Sequence, residues 1–181
     1  ILADLLNACQ VLSLRPFLAW GTLLGHHRER RFIPYERDID LGLLEVDFAK
    51  KADLASLMRA KGYAVRKDDP FIISFHTKNL PAPHIDLQLF YQRNEQIVCT
   101  IAPGNQQELY TYYFPRELFS EFIKVKFLGR FVVLMPTDVE RFLTTAYGDW
   151  RTRQRKWHYL YSPLNVVRER KRVPSGETAP S

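Results

Sequence analysis

The chain has 181 residues, which is enough for one domain whose core needs no disulfide or metal staple. Its 46% hydrophobic content is ordinary for a soluble globular protein, and no run of the sequence approaches the length of a membrane span. Two cysteines, Cys9 and Cys99, are too few and too far apart for a disulfide framework or a zinc site.

The net charge of +6 belongs to the end of the chain. Residues 1–150 carry 18 basic and 18 acidic side chains, whereas residues 151–181 carry 8 basic and 2 acidic ones. The high isoelectric point therefore gives little support to nucleic-acid binding by the domain itself. We predict a catalytic domain over residues 1–150 and a basic extension over 151–181, with residues 174–181 disordered.

The first part of the chain alternates helical and strand patterns. Apolar residues recur at helical spacing up to Pro16, which ends the first helix. Gly21 follows a short apolar run, and Thr22 is a suitable N-cap for the next helix. The predicted elements of this part are a helix over 1–14, a strand over 17–20, a helix over 22–27, a loop over 28–37 and a strand over 38–44.

The second part is richer in strands. Gly62 is placed to end a helix that Asp47 would cap, and Gly129-Arg130 is typical of a hairpin turn. The predicted elements are a helix over 47–61, strands over 63–66, 71–77, 84–91 and 96–102, a hairpin of 122–128 with 131–135, and a helix that begins in a capping box at 137–140 and ends at 147. This order predicts an α+β fold with a mixed β-sheet flanked by helices.

Three acidic residues interrupt the predicted strands. Side chains alternate between the faces of a strand, so Asp38 and Asp40 share a face about 6.7 Å apart along the chain. Asp86 lies in the middle of another strand, among aliphatic residues. Strand carboxylates need something to offset their desolvation, and carboxylates from two strands of one sheet can converge on divalent metals. We therefore predict a metal site of Asp38, Asp40 and Asp86, which suits phosphoryl transfer.

A phosphate-binding turn is the second predicted part of the site. Gly21 and Thr22 open a predicted helix, where backbone N–H groups and the helix dipole favour anions. An ordinary capped turn would have the same sequence, so this assignment depends on the neighbouring acidic residues.

The sequence GTLLGHHRERRFIPYERDIDLGL resembles the LicD/fukutin family of the nucleotidyltransferase (polymerase β-like) superfamily. The matching positions are Trp20 to Gly25, Arg28, Ile33-Pro34-Tyr35 and Asp38-Ile39-Asp40. The later sequence PTDVERFLTTAYGDW is similar to the family's C-terminal element with its Pro and Tyr-Gly. The resemblance implies a nucleotidyltransferase-like fold and a metal-dependent enzyme.

The resemblance also implies a reaction and a set of ligands. The family transfers a phospho-alcohol, such as phosphocholine or ribitol phosphate, from a CDP-activated donor to a hydroxyl of a glycan or glycolipid acceptor. By position in the motif, Asp38 and Asp40 would bind Mg²⁺ or Mn²⁺, Gly21 and Thr22 would face a phosphate, and Arg28 would clamp the donor. Asp86 would be the third ligand or the base that takes the acceptor's proton.

Several features leave alternatives open. Arg37 stands where the family has acidic residues, so it would either neutralise a donor phosphate or lie on the opposite face. An NTP-dependent nucleotidyltransferase acting on a small molecule, RNA or protein is the main rival, and a non-catalytic nucleic-acid-binding domain is the second. No nucleic-acid partner is expected, although the basic extension could contact a membrane surface. The resemblance is compatible with a cytoplasmic or membrane-associated bacterial enzyme or a Golgi-lumen eukaryotic one, and we expect no targeting segment in these residues.

Overall fold

The computed structural model describes residues 1–34, 36–78, 80–103, 108–153, 158–160 and 162–170. The helices are α1 (Leu2–Val11), α2 (Trp20–Glu29), α3 (Glu45–Phe48), α4 (Lys51–Ala60) and α5 (Val139–Tyr147). The strands are β1 (Phe17–Leu18), β2 (Asp38–Leu44), β3 (Tyr63–Asp69), β4 (Ile72–Thr77), β5 (Leu80–Arg93), β6 (Gln96–Ile101), β7 (Glu108–Pro115), β8 (Phe122–Phe127), β9 (Phe131–Pro136) and β10 (Val166–Arg170).

The strands of the described residues form one mixed sheet. Its main path runs β10-β7-β6-β5-β2-β1-β9-β8, and the β3-β4 hairpin joins it through β4, which pairs with the first half of β5. β2 runs parallel to β5 and β1 runs parallel to β9, while the other neighbours are antiparallel. The predicted α+β class with a mixed sheet and flanking helices is therefore confirmed.

A cluster of aromatic side chains holds the helices to the centre of the sheet. Phe114 of β7 stacks on Phe142 of α5 with ring centroids 4.9 Å apart, and Phe17 meets Phe90 edge to face at 5.1 Å. Such pairs stabilise the fold beyond the apolar area that they bury. The cluster packs α5 and the start of α2 close to the middle strands, β2 and β5.

Several predicted helix starts are wrong. α2 begins at Trp20, after Ala19, so Thr22 lies inside the helix and is not its cap. The single helix predicted over 47–61 is two helices, and Asp47 accepts a hydrogen bond from the backbone of Arg15 instead of capping α4. In α5 the cap is Asp138, whose carboxylate accepts from the backbone N–H of Arg141.

The turns follow the sequence more closely. Gly62, Gly129 and Gly148 all have positive φ angles at the ends of helices or in the β8-β9 turn, as their sequence positions predict. The strand predicted over 63–66 is longer in the structure, because β3 continues to Asp69 with a bulge between Val65 and Lys67.

The extension contributes to the sheet. β10 pairs antiparallel with β7, and Arg168 makes an ion pair with Glu108. β7 and β10 are two strands that the sequence did not predict. The boundary at residue 150 stays a prediction, and the segment 174–181 lies outside the described residues.

Candidate active site on strands β2 and β5

The parallel pairing of β2 with β5 brings the strand acids together. In its register Asp38 lies opposite His84, and Asp40 lies opposite Asp86. All four side chains share one face, because Ile39 and its aliphatic neighbours point to the other face and are buried. The alternation of small acids with aliphatic residues thus builds a polar floor on a strand pair whose other side is core.

Asp38, His84 and Asp86 are close enough to share a cation. One potential ligand atom from each lies within 4.8 Å of the other two. The Nε2 atom of His84 is 3.8 Å from Asp38 Oδ2 and 3.7 Å from Asp86 Oδ1. His84 Nε2 is also 2.8 Å from Nη1 of Arg66, and because a guanidinium only donates, Nε2 accepts this hydrogen bond. The carboxylates are therefore the more accessible metal ligands.

Asp40 is fixed by neutral donors. Its Oδ1 accepts a hydrogen bond of 3.3 Å from Nε2 of Gln88, and the backbone N–H of Gly21 also donates to its carboxylate. Its own backbone N–H donates to Oγ1 of Thr22 at 2.8 Å. Burial, followed by the charges of Asp38 and the other nearby acids, raises the pKa of Asp40 well above its usual range.

Two more carboxyls in the site have raised pKa values. Burial raises the pKa of Asp86, although the hydrogen bond from Ser74 Oγ, 2.6 Å from Oδ1, works in the opposite direction. Glu36 lies beside Asp38, and desolvation of its carboxyl followed by the hydrogen bond and charge of Asp38 raises its pKa to about 7. Three carboxyl groups with raised pKa values, which lie next to a fourth carboxyl, that of Asp38, together fit a divalent cation. An oxygen-rich set of ligands suits Mg²⁺ or Mn²⁺.

These carboxyl groups line a cavity of about 760 Å³, which is large enough for a nucleotide-sized ligand. Basic side chains from three parts of the chain reach its surface, namely Arg28 of α2, Arg66 and Lys67 of β3, and Arg153 of the extension. Aromatic side chains also line it: Trp20, Tyr112, Tyr147, Trp150 and Tyr159. The combination of an acidic floor, basic sides and aromatic rings suits a ligand with both phosphate groups and a flat base.

The structure brings most of the predicted site residues together. Gly21 and Arg28 line the cavity with the three aspartates. Thr22 is buried, and its hydroxyl faces the backbone of Asp40. Arg37 is exposed and is not among the cavity's lining residues. Arg37 therefore lies outside the cavity, and Thr22 lies beneath the cavity floor.

Four polar residues of the site were not predicted. Glu36, Ser74, His84 and Gln88 all contact one of the aspartates. The alternation in the sequence HIDLQLFY places His84 and Gln88 on the same face as Asp86, so it could have identified both. Ser74 could not have been found in this way, because its approach depends on the register between β4 and β5.

Part of the predicted basic extension can be located. Arg151 stacks on the ring of Trp150, with its guanidinium carbon 4.2 Å from the ring centroid, and Tyr159 accepts a hydrogen bond from Tyr112 through its backbone carbonyl. Residues 154–157 and 171–181 lie outside the described residues, as does Tyr35 of the family-like motif. Among the described helices, none has the length and apolar character that a membrane crossing requires.

Comparison with protein families gives a match that contains this site. Residues 13–137 match the model of the LicD/FKTN/FKRP nucleotidyltransferase domain. This span includes α2 and both strands that carry the aspartates.

Curated relatives of known name agree with the family match. The chain is 27% identical over 160 residues to mouse (Mus musculus) ribitol-5-phosphate transferase FKTN, a match that covers 83% of this chain and 32% of the relative. It is 27% identical over 147 residues to human (Homo sapiens) ribitol 5-phosphate transferase FKRP, covering 77% of this chain and 28% of the relative. The chain thus spans about a third of the length of these relatives.

Among solved structures, the crystal structure of ANT(2")-Ia in complex with adenylyl-2"-tobramycin is similar. The similarity has a TM-score of 0.40 and 16% sequence identity, and it covers 57% of this chain and 55% of that one.

Proposed function

The chain belongs to the LicD/FKTN/FKRP family of nucleotidyltransferase domains, and we propose that it transfers a phospho-alcohol from a CDP-activated donor to a hydroxyl group of a glycan. Asp38, Asp40 and Asp86 are the proposed ligands of the Mg²⁺ or Mn²⁺ ion on which the reaction depends. The ribitol-phosphate transferase names of two relatives support the choice of phospho-alcohol.

One observation carries the proposal. Asp40 and Asp86 occupy opposite positions on parallel strands, and Asp38 lies on the same face at the cavity floor. These carboxyls have no structural ion pair with Lys or Arg among the described residues. A cluster of acids without such partners is costly to ionise, and a cofactor that supplies positive charge would offset that cost.

The proposed reaction is a single displacement at phosphorus. The acceptor oxygen forms a bond to the β-phosphorus of the donor, and the bond from that phosphorus to the oxygen bridging the two phosphates breaks. CMP leaves with the bridging oxygen, and the acceptor hydroxyl loses its proton. A bound divalent ion supplies electrostatic stabilisation of the diphosphate charge.

The side chains have distinct proposed roles in this step. Asp86 also takes the proton of the acceptor hydroxyl, and the hydroxyl of Ser74 fixes one of its oxygens for this step. Arg28 and Arg153 bind the donor's phosphates from the cavity wall, because guanidinium groups match phosphate geometry. The ring of Tyr159 offers a stacking surface for the donor's base.

Product analysis tests the proposal. The protein is incubated with CDP-ribitol or CDP-choline, a panel of glycans and Mn²⁺, and the nucleotide products are separated. We expect CMP to be released together with a glycan phosphodiester, and we expect Asp40→Asn to abolish both. Release of pyrophosphate from an NTP, with no CMP from any CDP-alcohol, would instead establish the rival nucleotidyl transfer.

A further inference from the structure

We infer that Gln88 is a positioning residue that holds the carboxylate of Asp40 in its metal-binding orientation, and that Trp20 sets the direction of the Gln88 amide. The inference rests on the proposed metal-dependent function. Gln88 lies on β5 two residues after Asp86 and shares its face.

The contacts of Gln88 form a chain from the core to the site. The indole Nε1 of Trp20 donates to Oε1 of Gln88 at 2.8 Å, and the thiol of Cys99 donates to the same oxygen at 3.3 Å. On its other side, Nε2 of Gln88 donates to Oδ1 of Asp40 at 3.3 Å. These three contacts join α2, β6 and β2 to β5, the strand that carries Gln88.

The direction of the amide follows from chemistry. An indole N–H can only donate, so the atom of Gln88 that faces Trp20 must be the carbonyl oxygen. Burial raises the pKa of the Cys99 thiol well above its usual range, so Cys99 stays protonated and also acts as a donor. The NH₂ group of Gln88 must therefore face Asp40, to whose Oδ1 atom it donates.

Few other groups of the described residues fix the Asp40 carboxylate. The backbone N–H of Gly21 also donates to it. Thr22 fixes the backbone of Asp40 and does not touch its carboxylate. Gln88 is the side chain that the described residues provide as a hydrogen-bond donor to that carboxylate. A buried amide with polar partners on both sides also avoids the cost of an unpaired polar group.

Gln88→Glu tests the inference with little change of shape. A carboxylate keeps the acceptor for Trp20 and Cys99 but removes the donor to Asp40. Gln92→Glu is the matched control, since Gln92 is an exposed residue of the same strand and its side chain bonds only to the backbone of Asn94 among the described contacts. Trp20→Phe is a second variant, which keeps an aromatic ring in the Phe90 and Phe114 cluster but frees the Gln88 amide to reverse.

The readouts are the Mn²⁺ dissociation constant, measured by the electron paramagnetic resonance of free Mn²⁺, and the rate of CMP release. Groups that support a metal ligand typically change affinity or activity by about 10- to 100-fold. We expect Gln88→Glu to weaken Mn²⁺ binding by about this factor, Trp20→Phe to weaken it less, and Gln92→Glu to leave it unchanged. Near-ultraviolet circular dichroism checks that each variant is folded, and Trp20→Phe provides the test if Gln88→Glu does not fold.

The outcomes separate this inference from the proposed function. Variants that lose Mn²⁺ affinity in a protein whose wild type releases no CMP would support the role of Gln88 and overturn the proposed reaction. Wild-type affinity in folded Gln88→Glu and Trp20→Phe would overturn the role of Gln88 and leave the reaction untouched. A wild-type protein that binds no Mn²⁺ would overturn both.

Discussion

Asp40 and Asp86 lie opposite each other on two parallel strands, although another hairpin, β3-β4, separates those strands in the sequence. Their carboxyls share one face with Asp38, and burial raises the pKa of both. The pair therefore costs stability when no cation is present.

Replacing Asp40 by Asn should separate stability from function. The amide removes a buried charge that faces Asp38 and Asp86, so we expect the Tm of the protein in EDTA to rise. A loss of about 10- to 100-fold is typical of groups that only support a metal ligand. Transfer activity of Asp40→Asn should fall by more than this. Differential scanning calorimetry measures the first effect, and CMP release measures the second.

Asp53→Asn is the matched control for this variant, since Asp53 is exposed on α4. It should change neither Tm nor activity appreciably. A Tm in EDTA that falls in Asp40→Asn would contradict the view that the Asp40 charge is unfavourable without a cation.

The pH dependence of stability should identify the raised pKa of Glu36. Its folded-state pKa of about 7 exceeds the ordinary value of 4.5, so the folded protein binds this proton more tightly than the unfolded chain. The stabilisation that comes from this tighter proton binding at Glu36 is fully present below pH 4.5 and is lost as the pH rises through 7. In EDTA, Glu36→Gln should therefore be more stable than wild type at about pH 8 and equal to it near pH 5.

Thermal denaturation at several pH values gives this difference directly. Glu95→Gln, in the exposed turn between β5 and β6, serves as the control and should show the same profile as wild type. A difference between Glu36→Gln and wild type that stays constant across the range would rule out a carboxyl with this pKa.

Thr22 should act through the backbone of Asp40. Thr22→Val keeps the shape of the side chain but leaves the Asp40 N–H without its partner, which accepts at 2.8 Å. An unsatisfied buried donor costs about 1–3 kcal/mol, so Thr22→Val should lower the free energy of unfolding by about that amount. Thr22→Ser retains the hydroxyl and should lower the free energy of unfolding less. Equal urea midpoints for Thr22→Val and wild type would show that this hydrogen bond contributes nothing to stability.

Two glycines of the site region should differ in their tolerance of a methyl group. A Cβ at Gly42 would overlap the buried ring of Phe17, whereas a Cβ at Gly21 would meet the end of the flexible Glu36 side chain at 3.0 Å. Overpacking of a core costs about 1–3 kcal/mol, so Gly42→Ala should destabilise the protein by about that amount. Gly21→Ala should unfold at nearly the wild-type urea concentration, and the reverse order of stability would contradict the packing described for β1 and β2.

The sequence predicts the face of each aspartate but not which strands meet. Alternation is a local property, so the shared face of Asp38 and Asp40 follows from their spacing alone. Their contact with Asp86 depends on the parallel pairing of β2 with β5. Parallel strands need a long crossover connection, and no local sequence pattern specifies which strands it joins. Family resemblance predicted Asp86 only because its strand has an acid among aliphatic residues.

The unpredicted elements have physical causes as well. α2 starts two residues before Thr22, at Trp20, whose indole is buried and bonded to Gln88 on β5. β10 lies in a basic segment that resembles a solvated extension, and pairing with β7, together with the bond between Arg168 and Glu108, stabilises it as a strand. In both cases long-range contacts outweigh the local signal.

A thermal-shift titration with donor and metal together is the strongest test of the proposed metal-dependent site. Ligands that bind only the native state raise Tm by mass action. Wild-type protein should gain stability from Mn²⁺, gain more from Mn²⁺ with CDP-ribitol or CDP-choline than from Mn²⁺ with NTPs, and lose these gains in Asp40→Asn. Equal gains in wild type and Asp40→Asn, or no gain from any CDP-alcohol with Mn²⁺, would contradict a metal-dependent CDP-alcohol site on β2 and β5.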